Sequence, residues 1–186
     1  AHLCRGGHGP GATGKDLGTV SEFDIHAGHV VNATGVGTEG AQALAGERGQ
    51  FKVRSSKGVH LVVPRDRIRG ESGLILSTDK SVLFVIPWGQ HWIIGTTDTD
   101  WSLSKDHPAA SHSDIEYLLH HVNKVLELPL THDDVQGVYA GLRPLLAGGD
   151  EATSKRSREH AVSTGVTGPK GASGRHITAQ RKLAQR

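Results

Sequence analysis

Arg143 stands inside an apolar run, residues 135–146, and is followed at once by Pro144. A guanidinium that close to a core needs a carboxylate partner or an anionic ligand. Arg143 therefore marks either a buried ion pair with an aspartate or a place where negative charge is held. His60 sits at the start of an apolar strand pattern, Leu61-Val62-Val63, where an imidazole could act as a base or simply be a satisfied structural histidine. Thr96-Thr97-Asp98-Thr99-Asp100 closes another apolar run with hydroxyls and carboxylates. Metal binding by Asp98 and Asp100 is one reading, and turn capping is the simpler one. Ala33-Thr34-Gly35 ends the short strand pattern Val30-Val31-Asn32. Small residues at the carboxyl end of a strand let a ligand approach the backbone, although an ordinary strand and turn would read the same way.

Several familiar sites are missing or out of context. There is no G-x-S-x-G elbow, no H-E-x-x-H and no C-x-x-C pair, and the 13 histidines are scattered without metal-ligand spacing, so no metal ligand is assigned. Gly9-Pro10-Gly11-Ala12-Thr13-Gly14 formally matches G-x-G-x-x-G. No apolar strand precedes it and no helix follows, so it reads as a Gly-rich turn rather than a phosphate loop.

The elements that must position these residues centre on 82–100, two apolar runs split by a Gly-containing turn at Trp88-Gly89-Gln90, which is a hairpin signal. An antiparallel sheet is expected from residues 57–63, 74–77, 82–86, 92–97 and 135–142. Lys57 and His60 lie three apart, so they face opposite sides of their strand. Gly58 between them suggests a bulge or a close backbone approach. Ser113-Asp114-Ile115-Glu116 reads as a capping box. Behind it Ile115, Leu118, Leu119, Val122, Val125 and Leu126 keep helical spacing up to Pro129, which predicts a helix over 113–126 covering the sheet. A short helix is expected over 38–44, a capped turn over 131–134 and a solvated charged turn over 65–73. His120 and His121, being adjacent, read as surface positions.

Composition sets the bounds. The chain has 186 residues, 35% of them hydrophobic, and 25 glycines, both deviations being concentrated in residues 1–20 and 147–186. Residues 1–150 carry 13 basic and 17 acidic side chains, whereas residues 151–186 carry 8 and 2. That basic tail, poor in apolar residues, is expected to be weakly ordered or disordered. The single Cys4 excludes an internal disulfide framework and fits a reducing compartment. No run of about 18 apolar residues offers a transmembrane helix. The chain opens at Ala1 with no visible signal peptide, which suggests a missing start.

Five segments, taken in order, point to a family. They are Val30-Val31-Asn32-Ala33-Thr34-Gly35, Lys57-Gly58-Val59-His60-Leu61-Val62-Val63-Pro64-Arg65, Val85-Ile86-Pro87-Trp88, Ile93-Ile94-Gly95-Thr96-Thr97-Asp98 and Tyr139-Ala140-Gly141-Leu142-Arg143-Pro144-Leu145. Together, over about residues 22–160, the chain resembles the FAD-dependent glycerol-3-phosphate dehydrogenases of the aerobic type. The resemblance implies oxidation of sn-glycerol 3-phosphate to dihydroxyacetone phosphate, FAD as the acceptor of hydride from C2, and electrons passing on to quinone. It also implies a cytoplasmic protein attached peripherally at the inner face of the cell membrane, with no nucleic-acid partner. By the same resemblance Ala33, Thr34 and Gly35 approach FAD, His60 is the substrate-side histidine and candidate base, and Arg143 is the arginine of G-x-R-P that faces substrate and flavin.

The family's amino-terminal strand, phosphate loop and helix have no counterpart before Ala1, and the segment from Thr167 to Arg175 does not match the family's later ligand-contacting segment, so Lys170 receives no role. The expected architecture is therefore α+β in three parts. Residues 1–50 form the edge of an FAD-binding, Rossmann-like domain, 51–150 form the substrate-binding antiparallel sheet covered by a helix, and 151–186 form the basic tail. Such a chain is expected to be a truncated piece that alone neither holds FAD tightly nor turns over substrate. Two other readings share parts of these observations. One is a non-enzymatic module whose basic tail binds nucleic acid or anionic lipid, although that tail lacks the interleaved aromatics of single-strand binders. The other is a related amine or hydroxy-acid oxidase, against which the segments at 57–65 and 96–98 argue.

Overall fold

The computed structural model describes residues 11–27, 29–44, 52–79, 81–146, 161–167 and 174–180. These fall into two compact units.

In the first unit, β1 (Gly11–Lys15) and β2 (Glu22–His26) form an antiparallel hairpin from Gly11↔His26 to Lys15↔Glu22. Residues 11–14, expected in a Gly-rich turn, are thus strand; Gly9 and Pro10 lie outside the described residues. The reason is the partner strand. The Phe23 ring lies over Gly14 so closely that a Cβ there would sit 2.7 Å from Cζ, and Thr13 Oγ1 donates to Asp24 Oδ1 at 2.7 Å. An aromatic cross-strand partner shields a glycine that would weaken the strand alone. The strand β3 (His29–Asn32) is followed by α1 (Thr38–Leu44), the short helix the sequence predicts.

The second unit, residues 55–143 of those described, takes in most of β4 (Val53–Pro64), then β5 (Leu74–Ser77), β6 (Val82–Trp88), β7 (His91–Gly95), β8 (Thr99–Trp101), α2 (His112–Val122) and most of β9 (Gly137–Leu146). The sheet runs β5-β6-β7-β4-β8, with neighbours antiparallel, and β9 pairs with β4. Gly89, at φ 56, makes the two-residue turn between β6 and β7. This is the α+β arrangement expected from the sequence. Inside the basic tail, β10 (Ala161–Thr167) and β11 (Gly174–Gln180) pair antiparallel, and β11 runs parallel to β3. That pairing places two stretches of the tail in the first unit; composition did not anticipate it, because β-branched Val162, Thr164, Val166 and Ile177 are thinly spread among Gly and Ser.

The core lies on one face of the sheet. Val59, Leu61 and Val63 of β4 meet Leu83 and Val85 of β6 and Trp92 and Ile94 of β7, and Leu118, Leu119 and Val122 of α2 cover them. The charged turn after β4 is less solvated than its composition suggests. The Arg65 guanidinium lies 4.2 Å over the Trp92 ring, Arg67 Nε pairs with Asp134 Oδ1 at 2.6 Å, and Ile68 is buried. Long arginine stems can cover apolar surface while their charged ends find partners.

The start of α2 also differs from expectation. Its N-cap is Ser111, not Ser113, and the capping box closes on Asp114, not Glu116. Asp114 has a second task that fixes the register: its Oδ2 takes Lys57 Nζ at 2.5 Å, with both residues buried. Lys57 Nζ also donates to Ala109 O at 3.3 Å and lies 5.2 Å from the Trp101 ring centre. The helix stops at Val122 rather than residue 126 because the Asn123 side chain takes both the N–H and the C=O of Leu130, each at 2.8 Å, and turns the chain away. Beyond it, Thr131 and Asp134 form the capped turn expected there.

Burial pushes the Asp114 carboxyl up, but hydrogen bonds from Lys57 and Ser111 outweigh it and hold the group below its ordinary 3.8. A depressed carboxyl contributes stability that is complete above 3.8 and is lost as pH falls through the lower folded value. Removing one partner strands a buried charge, so Asp114→Ala should lower unfolding free energy by about 3–5 kcal/mol in urea titrations at neutral pH. A loss well under 1 kcal/mol would show that the pair does not organise α2 on the sheet.

Candidate functional site

Successive side chains on a strand face opposite ways. In β4 the positions Lys57, Val59, Leu61 and Val63 turn toward α2, and Gly58 and His60 turn to the other face. That second face carries the candidate site. His60 stands opposite Gly95 of β7, and Gly95 stands opposite Phe84 of β6. The imidazole lies across Gly95: a Cβ there would sit 2.7 Å from His60 Cγ. On its other side the ring stacks on Tyr139 of β9, with centres 4.9 Å apart and planes 10° from parallel.

Arg143, two turns of the β9 pleat beyond Tyr139, reaches back over Gly58, where a Cβ would lie 2.7 Å from its Cζ. The approach that Gly58 permits is thus that of a side chain, not of a bulge or a second backbone. Arg143 donates from one terminal nitrogen to Thr97 O at 3.2 Å and from the other to Thr96 Oγ1 at 2.7 Å. Thr97 Oγ1 in turn accepts from Val59 N at 3.1 Å, fixing the chain that holds the guanidinium. Asp98, read as a turn cap or metal ligand, accepts instead from Ser56 Oγ on β4.

His60 and Arg143, 83 positions apart in sequence, are therefore electrostatic neighbours. Burial lowers the His60 pKa from 6.5, and the Arg143 charge lowers it further. At neutral pH the imidazole is uncharged and can take a proton. A fixed cation beside a neutral base suits removal of a proton from a hydroxyl next to an anionic group.

Ala33-Thr34-Gly35 belongs to the other unit and is built separately. The buried Asn32 side chain holds the turn: Oδ1 accepts from Thr34 Oγ1 at 2.7 Å and from Thr34 N at 3.3 Å, and Nδ2 donates to Thr38 O at 3.2 Å. Gly35 adopts φ 60, and Ala33 and Thr34 are exposed. The turn is held by Asn32, by Gly37 N donating to Thr34 O at 3.0 Å and by Thr38 Oγ1 donating to Gly35 O at 2.8 Å. Small, exposed side chains at the end of a strand leave room for a flat ligand to approach closely.

Sequence reasoning singled out His60, Arg143 and the Ala33–Gly35 turn but assigned nothing to Tyr139, Gly95 or the Lys57–Asp114 pair. The signal for Tyr139 was its spacing: Tyr139, Gly141 and Arg143 alternate on one strand face. For Lys57 it was a lysine inside an apolar strand pattern, which must find a carboxylate.

Comparison with known proteins identifies the family. The profile of the family described as FAD dependent oxidoreductase matches residues 3–177. The chain is 57% identical over 176 residues to glycerol-3-phosphate dehydrogenase 2 of Mycobacterium tuberculosis, covering 95% of this chain and 30% of that protein. It is 59% identical over 167 residues to glycerol-3-phosphate dehydrogenase of Mycobacterium leprae, covering 90% of this chain and 28% of that one. Among solved structures, the Bacillus halodurans glycerol-3-phosphate dehydrogenase complexed with FAD superposes with a TM-score of 0.72 at 29% identity, covering 90% of this chain and 31% of that one. The chain thus spans about 30% of the length of the relatives it matches.

Two substitutions probe the packing. In Arg143→Ala the His60 titration followed by NMR should move up toward 6.5 but stay below it, because burial is the larger cause of the shift. A midpoint unchanged or lowered would break the electrostatic link. Gly95→Ala should drive the ring off Tyr139 and cost about 1–3 kcal/mol of stability; a neutral effect with the stack intact would refute the fit.

Proposed function

The chain belongs to the family of FAD dependent oxidoreductases, and from that premise we propose that it supplies the substrate side of a glycerol-3-phosphate dehydrogenase. The observation that carries this reading is the neutral, half-buried His60 held between Tyr139 and Gly95 beside the Arg143 cation. Oxidising a secondary alcohol requires loss of the hydroxyl proton and of hydride from the same carbon. His60 takes the proton from the C2 hydroxyl of sn-glycerol 3-phosphate. Arg143 holds the substrate's negative charge and steadies the oxygen as it becomes the carbonyl of dihydroxyacetone phosphate. Bound FAD supplies the hydride acceptor, and Ala33, Thr34 and Gly35 line one wall of its place. Passage of electrons to quinone, and a cytoplasmic location with peripheral attachment at the inner face of the cell membrane, complete the reading and rest on family resemblance.

One wall is not a cofactor site. A flavin's pyrophosphate rests on backbone N–H groups where a Gly-rich loop enters a helix, and the Asn32-held turn offers no such loop. In this reading the 186-residue chain alone releases FAD on desalting and needs the rest of a full-length enzyme to turn over.

The test is a chimera in which this chain replaces the aligned segment of the Mycobacterium tuberculosis relative. The chimera should reduce dye in the presence of glycerol 3-phosphate. Its rate should fall as pH drops through a midpoint below 6.5, where His60 becomes protonated. His60→Asn should lower turnover by about 10²–10⁴-fold. Arg143→Ala should lose about 1.5–3 kcal/mol of substrate or transition-state binding. A chimera with full activity in both variants would remove these residues from the chemistry.

A further inference from the structure

More than fifty residues along the chain from the candidate base, on the surface of α2, three side chains gather that the proposed reaction does not use. His112 and Glu116 lie one turn apart on one helix face, and His132 comes from the 3-10 turn His132–Asp134 that leads into β9. His132 Nε2 is 2.5 Å from Glu116 Oε1, and His112 Nε2 is 3.6 Å from the same oxygen. All three ligand atoms lie within 4.8 Å of one another. The two imidazole rings stack, with centres 5.3 Å apart and planes 13° from parallel, and both Nε2 atoms lie near the same Glu116 oxygen.

We propose that His112, Glu116 and His132 form a surface site for one divalent cation of the zinc class, which staples the start of α2 to the turn before β9. Two imidazole nitrogens and one carboxylate oxygen, with no thiolate, suit zinc, nickel or cobalt rather than calcium or magnesium, which prefer all-oxygen shells. Bonds of about 2.0–2.2 Å around a tetrahedral ion put neighbouring ligand atoms roughly 3.3–3.6 Å apart. The present spacing straddles that range, so small rotations of exposed side chains complete the set and leave a fourth position for water.

The backbones that carry the ligands are already fixed. Ser111 caps α2 through the Asp114 box, and Thr131 caps the turn through Asp134, which Arg67 also grips. The ordering that would otherwise oppose metal binding has thus been met by the fold. Sequence reading missed the group because its third ligand lies 16 residues beyond the second, past the end of the helix; only the His112-x-x-x-Glu116 spacing was visible. The turn that carries His132 leads into β9, the strand of Tyr139 and Arg143.

The 186-residue chain should be titrated with zinc by calorimetry at neutral pH, and with cobalt while following its visible absorption. Expected is one tight site per chain, intense four-coordinate cobalt bands and a raised thermal midpoint at saturating zinc. His112→Asn, Glu116→Gln and His132→Asn should each weaken binding by at least about tenfold, because even loss of a group outside the ligand shell costs that much. His120→Asn, one turn further along the same helix face, should leave the site intact and controls for the other histidines. All four positions are at the surface, and circular dichroism checks that each variant folds. No binding at micromolar zinc, binding indifferent to Glu116→Gln and His132→Asn, or an equal loss in His120→Asn would overturn the proposal and leave a hydrogen-bonded surface cluster only.

Discussion

A β-strand offers its side chains to two sides in strict alternation, and β4 puts that alternation to two different uses. Toward α2 it sends Lys57, Val59, Leu61 and Val63, which become the centre of the core and one half of a buried ion pair. Toward the opposite side it sends Gly58 and His60, which become the floor of the candidate site. A slip of one residue would bury His60 beneath the helix and bring Val59 and Leu61 to the surface. Stability and chemistry are therefore locked to one register. The Lys57–Asp114 pair helps enforce it, because a lysine that lost this carboxylate would be a bare charge in an apolar layer.

The second face works by leaving room. Gly95 and Gly58 have no side chains, and the space is taken by the His60 ring and the Arg143 guanidinium. Neighbouring Tyr139, Thr96 and Thr97 then hold those groups by stacking and by hydrogen bonds. Charge and burial act in one direction on His60, both favouring the neutral ring. A neutral base beside a permanent cation is a division of labour that alcohol oxidation can use, and it arises from packing rather than from any local motif.

The first unit shows a different economy. Its turn at Ala33-Thr34-Gly35 is shaped by one buried amide, Asn32, which satisfies several backbone and hydroxyl groups of the turn while the small side chains of Ala33 and Thr34 stay exposed. Two stretches of the basic tail reach strands there, β11 lying parallel beside β3. Parallel neighbours come from distant parts of a chain, as they do in dinucleotide-binding folds, and here the partner of β3 follows it by more than a hundred residues.

The sequence by itself determined the strands around the Gly89 turn, the covering helix, the short α1, and the identity of His60, Arg143 and the Ala33–Gly35 turn as residues of interest. Each of these is encoded locally, in alternation, helical spacing, turn glycines or an ordered run of motifs. Tertiary structure alone decided what those signals could not carry. It moved the cap of α2 from Ser113 to Ser111, because Asp114 answers to Lys57, which lies 57 residues earlier. It gave Gly58 and Gly95 their meaning as spaces for side chains from other strands. It brought His132 to His112 and Glu116, and β11 to β3. Every one of these depends on contact between residues far apart along the chain, and such contacts form only when buried charge, shape and backbone pairing are satisfied together.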